Sequence, residues 1–563
     1  MSTNTDLAKI FHTIASILEI KGESGFKVNA NTKVARTLED LVEDISSVKD
    51  LTAIPGVGKS SAAKIKNYIE TGTMPEYEAL RNSIPSGLLD LMRVQGLGPK
   101  KVRQLWQDAG VVDIVSLRTA IDEDRLDSLP RMGKKTIENI SQALLFIEES
   151  GNRTRIGEAM PVAESIADTL EKVDGVIKVA FAGSLRRGKE TIGDIDILAS
   201  TNCPDLLADT FCELDTVAMI QAKGNTKCSV RLKSGMQVDL RMVAKESFGA
   251  ALLYFTGSKN HNIILRERAM KQNKKLNEYG LEPQNISEDE EAIYSNLGLP
   301  FIPPEIREDR GELNCKKTLD LITVKDIKCD LHCHTTASDG HMSIEELAIH
   351  AIACGYHTIA VTDHSQSQTQ AGGLKPNRLK KHIEDIHEVN GRLEEITILA
   401  GSEVDILSDG TLDYDDELLS KLDIVVASPH SLLNQSQEDS TKRLLRAIEH
   451  PLVHIIGHPT GRIINKRKGL EPNMATVVAA AAKHNTALEI NANSYRLDLR
   501  DTHVNAAVEA GAMLSINTDA HRQEDFEQLR YGVLTARRGW LQPDKCINCL
   551  GHDELQTWLG RNC

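Results

Sequence analysis

The chain has no stretch of about 18 apolar residues, which excludes a membrane-spanning helix. Its longest candidate, Ala475–Ala482, is short and runs into Lys483. Cysteine is scarce, ten in 563 residues, and the spacing forms no disulfide framework. That excludes a stapled secreted scaffold and points to a reducing compartment. The opening Met1–Lys9 is polar and lacks an apolar core, so no secretory leader is expected and the expected location is cytoplasmic. With 40% hydrophobic and 26% charged residues, the chain is not a disordered or low-complexity one. Its length suggests about three to five folding units.

Charge and histidine divide the chain unevenly. Residues 1–320 carry 42 Lys+Arg against 47 Asp+Glu, and residues 321–563 carry 24 against 34. Two of the 18 histidines precede residue 321 and 16 follow it. An acidic, histidine-rich back half suggests divalent metals. Net acidity argues against a general nucleic-acid coat but leaves room for local basic patches.

Helical apolar spacing predicts helices at 7–20 and 37–48. Three segments then share one design: Ile54-Pro-Gly-Val-Gly-Lys-Ser60, Val94-Gln-Gly-Leu-Gly-Pro-Lys100 and Leu129-Pro-Arg-Met-Gly-Lys-Lys135. Glycines allow a tight turn whose N–H groups, with the following helix N-terminus, meet a phosphate. These resemble helix-hairpin-helix motifs, which bind DNA backbone without reading sequence. Gly56, Gly58, Lys59, Gly96, Gly98, Lys100 and Lys101 are the candidate DNA contacts. The third copy carries Arg131 in place of its first glycine.

From about 151 a helix is expected at 158–173, strands at 176–183 and 195–200, a hairpin at 228–233 and 236–243, and helices to about 279. Gly183-Ser-Leu-Arg-Arg-Gly188 precedes Gly193-Asp-Ile-Asp-Ile-Leu198. On a strand, Asp194 and Asp196 share one face and Ile195 and Ile197 the other. Asp239 can add a third carboxylate from a neighbouring strand. Three converging carboxylates need cations, and two divalent ions would suit an in-line phosphoryl displacement. Ser184 and Arg187 could hold a triphosphate.

With Tyr254-Phe-Thr-Gly-Ser258, this order of motifs resembles the X family of DNA polymerases. The resemblance implies metal binding by Asp194, Asp196 and Asp239, with Mg²⁺ or Mn²⁺, and activation of a primer 3′-hydroxyl by Asp239. It also implies triphosphate contacts by Ser184, Arg187 and Gly193. Tyr254 and Gly257 would line the sugar pocket, Asn262 would touch the base, and Arg266 would lie near the templating base. Lys64 matches the family's Schiff-base lysine. Asn31 and Thr32 stand where Tyr and Arg are frequent, so weak 5′-deoxyribose-phosphate lyase activity at most is expected.

After 328 a βα rhythm takes over, with apolar strand candidates at 329–333, 358–362, 397–402, 424–428, 453–457, 487–491 and 513–517. Helices are expected at 344–354, 377–394 and 473–484. Active sites of parallel barrels lie at the C-terminal strand ends. There stand His332, His334, Asp339, His364, Glu403, His430, His458, Asp519 and His521, a donor set suited to Zn²⁺, Mn²⁺ or Fe. Cys333 alternates to the opposite face. The set resembles the PHP (polymerase and histidinol phosphatase) domain, a distorted (β/α)7 barrel with three divalent metals, and implies Glu403 as a bridging carboxylate. Cys546 and Cys549 read as packing residues, as do Trp540 and Trp558.

The whole resembles the bacterial and archaeal PolX enzymes. The expected plan is a lyase-type helical domain at 1–85 and fingers at 86–150. A nucleotidyltransferase palm follows at 151–243, then a thumb at 244–315, a linker at 316–328 and a PHP barrel at 329–563. The expected activity is DNA-directed gap filling in base excision repair with a 3′–5′ exonuclease in the barrel. AP-site incision is chemically reasonable there too. Gapped or primed DNA and dNTPs are the expected partners of a monomer. The alternatives are a DNA-end-binding scaffold carrying a phosphoesterase, and a barrel that hydrolyses small phosphomonoesters.

Overall fold

The structure, a computed structural model, describes residues 3–41, 44–54, 56–92, 94, 96–127, 129–130, 132–150, 153–283 and 286–560. Pro55, Gln95 and Arg131 of the three hairpin segments lie outside the described residues. Two compact units divide at Gly151. Among the described residues no helix is long and apolar enough to cross a membrane.

The first unit is helical. The helix Thr3–Lys21 places Leu7, Phe11 and Ile14 in one core and Ile17 and Ile20 in a second. The first core includes Val34, Leu38 and Ile65, and the second Leu91, Val102, Leu105 and Leu117. The expected helix at 37–48 is corrected: the helix Gly25–Asp40 ends there, and Leu41 is extended. Tertiary contacts override the apolar spacing, because Ile45 donates its N–H to Asn4 Oδ1 at 2.7 Å and Asp44 caps Ser46.

The second unit begins with a five-stranded sheet in the order 176–181, 194–201, 237–243, 227–232, 217–222. Strands 194–201 and 237–243 run parallel, with Asp196 level with Asp239. The helices Ile156–Glu171 and Pro204–Cys212 cover one face, where Ile195, Ile197 and Leu240 are buried. The edge strand 217–222 was not anticipated.

The helices Phe248–Thr256, Lys259–Lys271 and Glu290–Asn296 enclose another core around Leu265, Ile293 and Tyr294. The expected run of helix to about 279 is corrected. Strands Lys275–Asn277 and Gly280–Glu282 form a hairpin, because Asn277 Oδ1 accepts from Tyr279 and Gly280 N–H and fixes the turn. Residues 316–328 pack tightly for a linker: Leu321 and Ile322 are buried, and Ile322 N–H bonds Leu541.

Seven parallel strands then follow in chain order, at 329–333, 358–361, 397–405, 424–428, 455–456, 487–491 and 514–517. A bridge between Cys333 and Ala520 joins the first strand to the chain just past the last, giving a nearly closed barrel. The helix His552–Leu559 packs its leucines on the inner residues Cys329, Ile424 and Ala487 near the strand starts. Cys546 is buried in the larger barrel cluster with Leu514 and Ile516, and Trp558 packs on the cluster of the helix. Ile464, Leu497 and Tyr531 of the barrel enter the core of the five-stranded sheet.

Buried charge ties the middle of the chain together. Glu290 accepts from Arg307 at 2.6 Å and from Arg186 at 2.6 and 2.9 Å. Burial opposes its charge, yet Arg307 and Arg186 hold its carboxyl down at about 2. This support is present above the usual carboxylate value and lost as pH falls toward 2. Glu290→Gln would leave two guanidiniums short of a counter-ion, one of them fully buried. It should cost about 3–5 kcal/mol, read as a lower unfolding midpoint at neutral pH.

Candidate functional site

Both hairpin glycines at the first turn position are left-handed, Gly56 at φ +94° and Gly96 at +89°. Gly58 and Gly98 are the N-caps of helices Lys59–Thr71 and Pro99–Ala109, and neither supplies a capping side chain. First-turn N–H groups therefore remain open to an anion. Lys59 and Lys100 are exposed; Lys101 Nζ bonds Gly96 O at 3.0 Å. Lys64 is ion-paired to Glu76 at 2.9 Å, so its ammonium is held by a carboxylate; Lys66 pairs with Glu70 instead. Asn31 turns its amide onto Lys27 O within its own helix.

On the open face of the five-stranded sheet, Asp194 and Asp196 line a cavity of about 840 Å³. Asp239 stands beside Asp196 across the ladder and is nearly buried, although neither it nor Gly193 is on the lining. Burial and then the carboxylates of Asp194 and Asp239 push Asp196 up to about 6. Burial also works against Asp239, yet hydrogen bonds from Lys227, Ser229 and Gln237 hold it below the usual range. Lys227, absent from the sequence reading, pairs with Asp239 at 2.7 Å. Its signal was only a lysine on the adjacent hairpin strand.

Gly183 has φ +58°, and a side chain there would meet the Asp196 carboxylate. The cavity also gathers Ser184, Arg187, Tyr254, Gly257, Asn262 and Arg266. Asn262 is held by Tyr254 O at 2.7 Å and Arg266 by Asn262 O at 3.2 Å. Sequence reasoning missed that Arg500, Asp501, Thr502 and Arg538 of the barrel line it too. No local pattern marks them.

At the C-terminal strand ends of the barrel all nine predicted side chains converge. Glu403 is central: its oxygens lie 2.7 Å from His364 Nδ1, 2.9 Å from His458 Nε2, 3.2 Å from His430 Nε2 and 3.4 Å from His332 Nε2. Asp519 lies 3.1 Å from His334 Nε2, and Asp339 3.3 Å from His521 Nε2. Three overlapping groups have ion-binding spacing: His334, Asp339, His364 and His521; His332, His334 and Asp519; His364, Glu403 and His430.

The fit to metal rests on orphaned atoms. His332 Nε2, His334 Nε2, His364 Nδ1 and both Glu403 oxygens are buried without a hydrogen bond, which is costly unless a cation satisfies them. A shift of register between Asp330 and Cys333 lets Leu331 join the inner cluster while Cys333 packs outward. Outer carboxylates orient the rings: His332 Nδ1 meets Glu489 at 2.8 Å and His430 Nδ1 meets Asp405 at 2.5 Å. Glu489 was missed, though a carboxylate inside the apolar run Ala487–Asn491 was a usable signal. Asp363 is occupied elsewhere, by His382, Thr335 and Ser338.

A polymerase-beta-type palm and thumb joined to a PHP barrel is the class this arrangement defines. Family models agree: a helix-hairpin-helix domain matches residues 2–74, a SAM-like helix-hairpin-helix tandem 88–144, DNA polymerase beta palm 155–226, DNA polymerase beta thumb 251–308, and a PHP domain 330–493. A Bacillus subtilis (strain 168) protein named DNA polymerase/3′-5′ exonuclease PolX is 40% identical over 565 aligned residues, covering 99% of both chains. A probable phosphatase of Thermoanaerobacter sp. (strain X514) is 29% identical over 39% of this chain and 89% of its own. Another, from Caldanaerobacter subterraneus subsp. tengcongensis, is 32% identical over 34% of this chain and 75% of its own. The chain belongs to the PolX family.

Protonation of the barrel site should be visible in metal binding. Burial opposes charge on His430, yet Glu403 and Asp405 lift it to about 9; burial opposes charge on His521, yet Asp339 and Asp519 lift it to about 9. Burial likewise opposes charge on His332, yet Glu489, Glu403 and Asp519 raise it well above the imidazole range; all three rings are then protonated at neutral pH in the metal-free protein, so a cation must displace their protons. Mn²⁺ affinity should rise with pH up to about 9. Titration calorimetry in two buffers of different ionisation enthalpy should show net proton release as the barrel site fills.

Proposed function

We propose that this chain is a DNA-directed DNA polymerase that fills short gaps, with a metal-dependent 3′–5′ exonuclease in its barrel. The observation that carries the reading is the face shared by Asp194, Asp196 and Asp239 beside a cation-lined cavity, in a chain that aligns end to end with a named polymerase/exonuclease. The expected domain limits, 1–85, 86–150, 151–243, 244–315 and 329–563, are kept as the plan of the enzyme.

In this reading Ser184, Arg187 and Gly193 hold the triphosphate, and Asp239 takes the proton of the primer 3′-hydroxyl. Tyr254 and Gly257 line the sugar, Asn262 meets the base, and Arg266 lies near the template. Gly56, Gly58, Lys59, Gly96, Gly98, Lys100 and Lys101 grip the backbone. Asp194, Asp196 and Asp239 would hold Mg²⁺ or Mn²⁺, and the nine barrel residues three ions of Mn²⁺, Zn²⁺ or Fe, which supply charge neutralisation and activated water. Glu489 and Asp405 fix the imidazoles of His332 and His430 for that role. Base excision repair is the setting such gap filling suits, and AP-site incision would use the same phosphodiester chemistry.

Four results test this. A 5′-labelled primer on a short gap with Mn²⁺ should lengthen with dNTPs and shorten without them. Asp194→Ala should abolish lengthening alone, and His332→Ala shortening alone, each by at least about 100-fold. Shortening without lengthening would favour the scaffold reading. The barrel's likeness to probable phosphatases makes a phosphomonoester the matched control substrate: turnover of it with no nucleotide release from a 3′ end would overturn the exonuclease. For Lys64, a free amine is the nucleophile a Schiff base needs, and Glu76 engages it. Borohydride trapping on an incised abasic site should therefore be weak and lost in Lys64→Ala; equal trapping by both removes Lys64 from the role.

A further inference from the structure

We propose that Arg538, on the barrel helix Leu529–Arg538, is a positioning residue for the polymerase reaction, setting the triphosphate arginine Arg187. The inference rests on the reading of Arg187 given above. Arg538 is only 3% exposed. Its Nη1 donates to the backbone carbonyl of Arg187 at 2.8 Å and to Glu308 Oε1 at 3.0 Å, and its Nη2 donates to Asp501 Oδ2 at 2.7 Å. The same Glu308 oxygen accepts Arg187 Nε at 2.9 Å, and Arg187 Nη1 donates to Thr256 O at 2.5 Å. Arg187 is thus held by its main chain, by Nε and by Nη1. Two of those three holds run through Arg538 or its carboxylate partner, and both arginines line the cavity.

Charge makes the arrangement more than a brace. Glu308 is shared between two guanidiniums and the Lys189 ammonium, 3.8 Å from its other oxygen, so it neutralises none of them fully. Without Arg538 the carboxylate would be left to Arg187 and Lys189 and would hold Arg187 more strongly, and a phosphate would have to compete with it. Asp501, fixed in turn by Arg310 at 3.0 Å, keeps Arg538 aimed. Arg538 lies in the barrel sequence but on none of the nine strand-end positions, so its loss should leave the barrel's own chemistry intact.

The test uses the full-length chain. Arg538→Ala should raise the dNTP KM about tenfold with kcat within about twofold, while 3′–5′ exonuclease on single-stranded DNA is unchanged. Arg538→Lys, which keeps the charge without the planar fork, should fall between and decides the matter should the alanine variant fail to fold. In an Arg187→Ala background, Arg538→Ala should raise KM no further. An unchanged KM, a parallel loss of exonuclease, or effects that multiply in the double variant would each overturn the proposal. An unchanged KM in Arg187→Ala alone would instead strike the triphosphate reading.

Discussion

Charge that cannot be left buried alone governs this molecule. Glu403 is almost fully buried among His332, His364, His430 and His458, and Asp196 faces Asp194 and Asp239. Like charges and unsatisfied lone pairs in such places cost several kcal/mol each unless cations answer them. Burial opposes the Glu403 charge, yet the surrounding imidazoles hold its carboxyl well below the usual range. At Asp196 burial and the carboxylates of Asp194 and Asp239 outweigh Arg241 and Lys227, and the group is pushed the other way. One site thus carries part of its counter-charge in its own rings, and the other relies on Lys227 and on what it binds.

The backbone architectures suit these two demands. A parallel barrel presents each strand end to one rim, so side chains 187 positions apart, His334 and His521, meet without long loops. A sheet with Asp194 and Asp196 two residues apart, level with a neighbouring strand, packs three acids on one face while Ile195 and Ile197 anchor the other. Between them runs a seam of arginines and carboxylates: Arg462 with Glu190, Arg530 with Glu164, Arg537 with Glu305, Arg538 with Glu308. Apolar residues of the barrel cross it into the palm core. The cavity beside Asp194 and Asp196 is bounded by that seam, which is why barrel side chains appear on its wall.

Both sets of candidate residues were legible because their chemistry is written locally. His-x-His and Asp-x-Asp state their shared face through strand alternation, and the βα rhythm states where a strand ends. Glycine hairpins followed by lysine announce an open helix N-terminus. The errors came where local spacing met tertiary competition. Residues 37–48 keep a helical apolar pattern, but Asn4 captures the Ile45 N–H. At 275–282 Asn277 makes a turn that periodicity does not weigh.

The sequence by itself determined the strand-end histidines and carboxylates, the paired aspartates, the glycine turns and the order of the modules, since each depends on residues a few positions apart. Only the tertiary structure decided that Lys227 would answer Asp239, that Glu489 would orient His332, and that Arg538 would reach Arg187 across 351 positions. Lysines, glutamates and arginines are ordinary surface residues in a sequence. They become specific when folding removes water around them and leaves particular polar partners within reach.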